Sequence, residues 1–213
     1  MNGYSFCLFL FILDIIAGMQ EGYRDWLRLG LIPGIAPEKM LRLLAKFRSP
    51  ARVLAAGESE LAEAVGERNI AHRIAAYRDS VDVDGELVRI DKFGVTLISL
   101  DDDLYPTRLA ETYGPPALLY VRGTFMPKDA DGVSVVGTRR ASHYGRLTAE
   151  RLAGELAVRG VTVVSGLAAG VDSAAHRGAL EAGGRTIAVL GCGVDVVYPS
   201  ANRELMEQII GHG

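Results

Sequence analysis

Three glycine-bearing stretches in the second half of the chain hold the residue types best suited to chemistry. The first runs Gly137-Thr138-Arg139-Arg140-Ala141-Ser142-His143-Tyr144-Gly145 and follows the β-branched run Val133-Ser134-Val135-Val136. Adjacent guanidinium groups can fork onto phosphate oxygens. Ser142 suits a helix cap or a phosphate donor, and the Tyr144 ring offers a face on which a base can stack. The second stretch, Ser165-Gly166-Leu167-Ala168-Ala169-Gly170-Val171-Asp172, follows Val161–Val164 and runs into an Ala-rich helical pattern containing His176. The third, Gly191–Pro199, follows Thr186–Leu190, carries Cys192, Asp195 and Tyr198, and leads to Ser200, Asn202 and Arg203. A strand that turns through glycine into a helix presents main-chain N–H groups and the positive end of a helix dipole. Open α/β sheets bind ligands at such junctions.

The chemistry of these loops is anion binding rather than catalysis. Gly137 is followed by Thr138-Arg139, not by a second glycine one step on, so the dinucleotide fingerprint is absent. The terminal Lys-Ser/Thr of a phosphate-cradling nucleotidase loop is absent too. Phosphate binding and a purely structural turn both remain open from spacing alone. Asp172 is expected to cap its helix through residues 174 or 175. His176 is either a general base or base-contacting group, or a packed, hydrogen-bonded side chain. Asp195 suits ribose hydroxyls or a turn. Cys192 reads as a small spacer, and Asp101-Asp102-Asp103 as a solvated turn rather than a metal loop. No nucleophile–base set, carboxylate pair or metal-ligand spacing stands out, so no catalytic residue, metal or cofactor is expected.

The elements that must position these loops alternate cleanly. Strands are expected at 133–136, 161–164 and 186–190, with helices at about 145–159, 172–183 and 200–210. This pattern implies parallel βαβ units with right-handed crossovers, half of a doubly wound α/β sheet with helices on both faces. Upstream, residues 20–80 read as a small helical domain. Pro37 suits a first helical position, Ser49-Pro50 starts a helix, Ser59 is expected to cap Glu60–Val65, and Asn69 to cap Ile70–Tyr77. Ile32-Pro33-Gly34-Ile35 is similar to a helix-hairpin-helix turn, which either holds a DNA phosphate or simply joins two helices. Residues 81–213 form the sheet domain, with further strands at 95–100 and 117–122. Residues 1–19 are an apolar extension in which Asp14 interrupts the run and no cation precedes it; it reads as a weak membrane segment, a packed extra helix, or, the reading favoured here, translated sequence upstream of a soluble start at Met19.

Charge narrows the possibilities further. The chain of 213 residues has a formal net charge of -3, so no global basic field attracts a polyanion. Residues 1–132 carry 15 Lys+Arg against 19 Asp+Glu, whereas residues 133–213 carry 8 Arg, no Lys and 7 acids. Polyanion binding must therefore come from local geometry. The all-arginine usage suits planar, bidentate phosphate contacts, and equally follows from codon bias. Two distant cysteines, Cys7 and Cys192, make no disulfide framework and suit a reducing compartment.

The three loop motifs, in this order, resemble the DNA-processing protein DprA (Smf) family. Trp26–Leu54 resembles that family's N-terminal helical, SAM-like domain, and Leu97–Leu109 with Pro115–Gly123 resembles the lead into its extended Rossmann-like fold. The resemblance implies a cytoplasmic recombination mediator of natural transformation. Such a protein binds and protects incoming single-stranded DNA, loads the RecA recombinase onto it, forms a homodimer, and has no established catalytic activity. By position, Gly137, Thr138 and Arg139 match the family's phosphate-holding loop, with Arg140 beside it. Ser142, Tyr144 and Gly145 match the rest of that loop, and Ser165, Gly166 and Gly170 match the second. The family's Lys after Tyr-Pro is replaced by Ser200, leaving Arg203 as the nearest cation. Family members continue with further strands, so a C-terminally truncated sheet is expected here. Its open edge predicts poor stability and a doubtful dimer. Two alternatives stand beside the mediator. One is a Rossmann-like phosphoribohydrolase, whose Pro-Gly-Gly-x-Gly-Thr-x-x-Glu loop is missing; the other is a non-functional remnant.

Overall fold

The computed structural model describes residues 22–212, so the apolar run at the start and the alternative start at Met19 lie outside the described residues. The described chain divides into two compact units. The first extends to Lys92 and takes in Leu97–Leu119; the second holds Phe93–Thr96 and the chain from Tyr120 onward. The boundary expected at residue 80 falls inside the first unit.

In the first unit a helix over 22–30 (α1) is followed by α2 (Pro37–Phe47), α3 (Pro50–Ala55), α4 (Glu58–Val65), α5 (Arg68–Tyr77) and α6 (Val83–Lys92). Pro37 and Pro50 open their helices, where a missing N–H costs nothing. Ser49 caps α3 by accepting from Arg52 N at 3.3 Å. The other caps differ from expectation. Ser59 lies within α4, which starts at Glu58 after Gly57, and the Glu60 carboxylate reaches back to Gly57 N at 3.0 Å. Asn69 lies in the first turn of α5 and accepts from Ile70 N at 2.9 Å. Leu29, Ile32, Leu43, Val53, Leu61, Val65 and Ile74 form the buried core of these helices. The Pro33-Gly34 turn joins α1 to α2, and Arg73 donates to the Pro33 carbonyl at 3.0 Å.

Strand β1 (Thr96–Ser99) pairs with β2 (Leu118–Val121). The short helix α7 (Thr107–Ala110) lies between them in sequence. Asp102 of the acidic run accepts from the Tyr23 hydroxyl at 2.7 Å, the Ser99 hydroxyl at 2.8 Å and Ser99 N. It is a structural acceptor. Among the described residues no His, Cys, Asp and Glu cluster can hold a metal ion, and no helix is long and apolar enough to cross a membrane.

The second unit is mixed α/β with a Rossmann-like parallel sheet. Strands β3 (Val133–Ser134), β4 (Val163–Ser165) and β5 (Thr186–Ala188) are all parallel, in the order β3-β4-β5. Helices α8 (His143–Val158) and α9 (Val171–Glu181) form the crossovers, and α10 (Arg203–His212) follows a 3-10 turn at Ser200–Asn202. Strands that follow in sequence order with same-handed crossovers put both connecting helices on one face. Accordingly α8 and α9 pack on each other, with Ala153, Ala157, Ala175 and Ala179 buried beneath them against Val135 and Val163. A second cluster, Leu205, Met206 and Ile209 of α10 around Leu167, closes the β5 side.

Candidate nucleic-acid interface

The first loop leaves β3 and arrives at the N-terminus of α8. Ser142 is the cap: its hydroxyl oxygen accepts from Gly145 N at 3.1 Å. Thr138 Oγ1 accepts from Arg140 N at 3.1 Å, and Arg146 Nη1 donates to the Ala141 carbonyl at 2.7 Å. The backbone between Thr138 and Ser142 is thereby fixed. Apart from the buried Ala141, its side chains stay in solvent. Arg139, Arg140, Ser142 and His143 are exposed, and the Tyr144 ring is 79% exposed. Neither the Arg139 nor the Arg140 guanidinium has an ion-pair partner among the described residues. Two cations, a capped helix N-terminus and an open aromatic face thus share one edge of the sheet.

The second loop is held from within. The Ser165 hydroxyl is buried and donates to the Val135 carbonyl at 2.6 Å. Leu167 is fully buried with φ at +56°, a conformation costing a side-chain-bearing residue roughly 1–2 kcal/mol. Three ties hold it there. Its N–H donates to His176 Nε2 at 3.3 Å, its carbonyl accepts from Asn202 Nδ2 at 2.8 Å, and its side chain fills the α10 cluster. Ser173 Oγ donates to the Ala168 carbonyl at 2.6 Å and accepts from Asn202 Nδ2 at 2.8 Å. Gly170, at φ +87°, lies so close to the Thr138 and Arg139 carbonyls that a Cβ would collide with both. The two loops therefore touch at Gly170, and Val171 N donates to Thr138 O at 3.3 Å.

Asp172 corrects the sequence expectation. It does not cap α9 through residues 174 or 175. Ala174 N donates instead to the Gly170 carbonyl at 3.2 Å, and Ser173 N to the Ala168 carbonyl at 3.1 Å. The Asp172 carboxylate, 7% exposed, accepts from Gly137 N at 3.3 Å and from Gly166 N at 3.1 Å, one oxygen to each loop. His176 resolves toward the packed alternative. It has no exposed surface; its Nδ1 lies 2.7 Å from Thr186 Oγ1, and that hydroxyl donates onward to the Val163 carbonyl at 2.8 Å. Nδ1 is therefore the protonated nitrogen and Nε2 the acceptor. Burial pushes its pKa down to about 4, against a smaller upward pull from the Asp172 charge.

The third loop contributes less. Asp195 is exposed and folds over Gly193, and Cys192 is a free, exposed thiol whose Sγ lies 3.5 Å from the Val196 carbonyl. Arg203 is exposed at the first position of α10, one residue beyond the Asn202 tie. Sequence reasoning missed Asn202 and the bridging role of Asp172. The available signal for Asp172 is a carboxylate six residues past Gly166, in the first turn of a helix facing two glycine loops.

The chain as a whole is similar to known proteins. The family model for DNA recombination-mediator protein A matches residues 96–213. The chain is 34% identical over 207 residues to protein Smf of Synechocystis sp., covering 93% of this chain and 50% of that protein. It is 35% identical over 178 residues to the DNA processing protein DprA of Streptococcus pneumoniae, covering 83% of this chain and 60% of that protein. The chain thus spans about half the length of the curated relatives it matches. The X-ray structure of DNA processing protein A from Streptococcus pneumoniae superposes with a TM-score of 0.70 at 32% identity, covering 90% of this chain and 64% of that chain. The family model takes in more than half of the residues, including all three glycine loops, and the chain belongs to the DNA recombination-mediator protein A family.

Proposed function

We propose that this chain binds single-stranded DNA as a recombination mediator, protecting incoming DNA and loading RecA during natural transformation in the cytoplasm. The observation that carries the reading is the exposed pair Arg139 and Arg140 on a fixed loop, beside the α8 N-terminus and the open Tyr144 ring. Guanidinium groups and helix-terminal N–H groups hold phosphates, and an exposed aromatic takes an unstacked base but not a paired one. In this reading Arg139 and Arg140 carry the phosphate contacts and Tyr144 stacks. Thr138, Ser142 and Gly145 fix the loop that presents them. Gly137, Ser165, Gly166 and Gly170 shape the crevice beneath, and Arg203 supplies a further cation. The name of the Streptococcus pneumoniae relative, DNA processing protein, supports the polymer as ligand. The RecA partner and the homodimer follow from the family resemblance. No catalytic step is assigned to the chain, whose buried histidine is fully used inside the fold.

Fluorescence anisotropy with labelled oligothymidine and a duplex control tests this. Binding is expected to favour the single strand and to weaken with salt, because each released counterion contributes to the slope. Arg139→Ala is expected to weaken binding about tenfold, the scale of one lost charged hydrogen-bonding group. Wild-type affinity in that variant removes this loop as the phosphate site.

A further inference from the structure

We infer that Asp172 fills, with its own carboxylate, the anion seat at the end of the sheet, and so positions the arginine loop for a passing nucleic-acid strand rather than for a free nucleotide. The inference rests on the single-stranded DNA reading of the same loops. At a strand–turn–helix junction the glycine-loop N–H groups ordinarily converge on a ligand phosphate. Here two of them converge on a protein group: Gly137 N and Gly166 N donate to the two oxygens of Asp172 at 3.3 and 3.1 Å. The carboxylate is nearly inaccessible. Above it the Thr138–Arg139 main chain crosses Gly170 without room for a Cβ, and Val171 N is spent on Thr138 O. An anion approaching α9 along its axis meets those carbonyls and then a negative charge. An anion arriving from the outer rim meets Arg139, Arg140 and the α8 N-terminus, and no carboxylate among the described residues pairs with either arginine. A polymer backbone runs along a rim; a nucleotide's terminal phosphate needs the seat.

Asp172 is thus a positioning residue, tying the starts of both loops to one rigid helix so that the arginines are held at a set height. Asp172→Asn keeps the shape but turns one acceptor into a donor facing an N–H. It is expected to weaken oligothymidine binding about tenfold, the loss expected when a buried group goes unsatisfied. Added to a chain that already carries Arg139→Ala and Arg140→Ala, it should weaken binding no further, because the clamp acts through those two side chains. A merely structural residue would weaken that combined variant additively, which would overturn the proposal. Full affinity in Asp172→Asn while Arg139→Ala is weakened would also overturn it, leaving the DNA reading intact. Full affinity in Arg139→Ala would remove the DNA reading itself. Residue-resolved hydrogen exchange on the unaltered chain decides the clamp even if Asp172→Asn does not fold. The Gly137 and Gly166 amides should be protected in the free protein and unchanged by oligothymidine, while the Thr138–Tyr144 amides gain protection. Unprotected Gly137 and Gly166 amides, or saturable ADP binding that protects them, would overturn it.

Discussion

His176 is neutral because both of its ring nitrogens are already committed. Nδ1–H is matched to Thr186 Oγ1 and Nε2 to the Leu167 N–H, so a second ring proton would set two donors against each other. Burial is the main cause of its lowered pKa of about 4, with the Asp172 charge opposing in part. The unfolded chain takes up a proton near the ordinary histidine value of about 6.5, and the folded chain does not until about pH 4. Between those values the unfolded state binds more protons, so stability is full above the upper value and falls as pH drops toward the lower one. The loss over that window is about 3–4 kcal/mol at most, since each tenfold difference in proton affinity between the two states is worth roughly 1.4 kcal/mol. Thermal unfolding followed from about pH 7.5 to about 4.5 should show this decline, and His176→Asn should flatten it. An equal slope in both proteins would mean that His176 is not the group responsible. The same ring holds Leu167 in its left-handed turn, so acid weakens the second glycine loop before the rest of the fold around it.

At the level of elements, the α8–α9 pair decides how near the loops can come. Its contact is made of small residues, with Gly154 and Gly178 facing each other and alanines on either side. A Cβ on Gly178 would collide with the Glu150 carbonyl of α8. Gly178→Ala gains up to about 1 kcal/mol of helix propensity. Forcing the helices apart costs about 1–3 kcal/mol. The clash is with backbone that cannot rotate away, so overpacking wins, and the thermal midpoint should fall by several degrees. An unchanged or raised midpoint would show that the helices slide without loss. Much of this architecture is legible in the residues. The β-branched runs, the glycine turns and Pro37 and Pro50 act locally, so β3, β4, β5 and the helix starts fall close to where the pattern places them. Ser59 and Asn69 mislead because a hydroxyl or amide is only one way to satisfy a helix start; Glu60 reaching back to Gly57 is another. Asp172 misleads for a different reason. Its partner Gly137 lies 35 residues away in sequence, and helix-cap rules see only the next turn.

Across the whole molecule, affinity for a polyanion has to be local, because the net charge is -3 and the arginine rim is not part of a basic field. One pair of charges is internal. Arg185 and Asp129 form a buried, bidentate pair, Nε to Oδ1 at 2.7 Å and Nη2 to Oδ2 at 2.8 Å, with Thr162 Oγ1 adding a bond to Asp129 at 2.8 Å. Burial alone would raise the Asp129 pKa. The Arg185 hydrogen bonds, the Met126 N–H, the Thr162 hydroxyl and the Arg185 charge together hold it below the usual carboxylate range instead. The pair therefore stabilises the fold fully above about pH 4, the ordinary carboxylate value, and its contribution is lost as pH falls through the lowered value. Arg185→Met should cost about 3–5 kcal/mol in denaturant unfolding, since it leaves a buried carboxylate alone. Replacing Asp129 with Leu in the same chain should recover part of that loss. If the single variant unfolds like the unaltered chain, the pair is not a structural centre.

Arg185 also donates to the Thr124 carbonyl and, at 3.3 Å, to the His212 carbonyl. One side chain therefore gathers the segment that enters the second unit and the helix that finishes its described part. The unit is drawn closed at its own neck, like a purse on a single cord. A short glycine linker from His212 to Thr124 would span this gap, and new ends could be opened in the exposed Gly191–Gly193 loop. Such a circularly permuted second unit, no longer joined to the first, would keep both glycine loops and their clamp in place while changing the order in which they are synthesised.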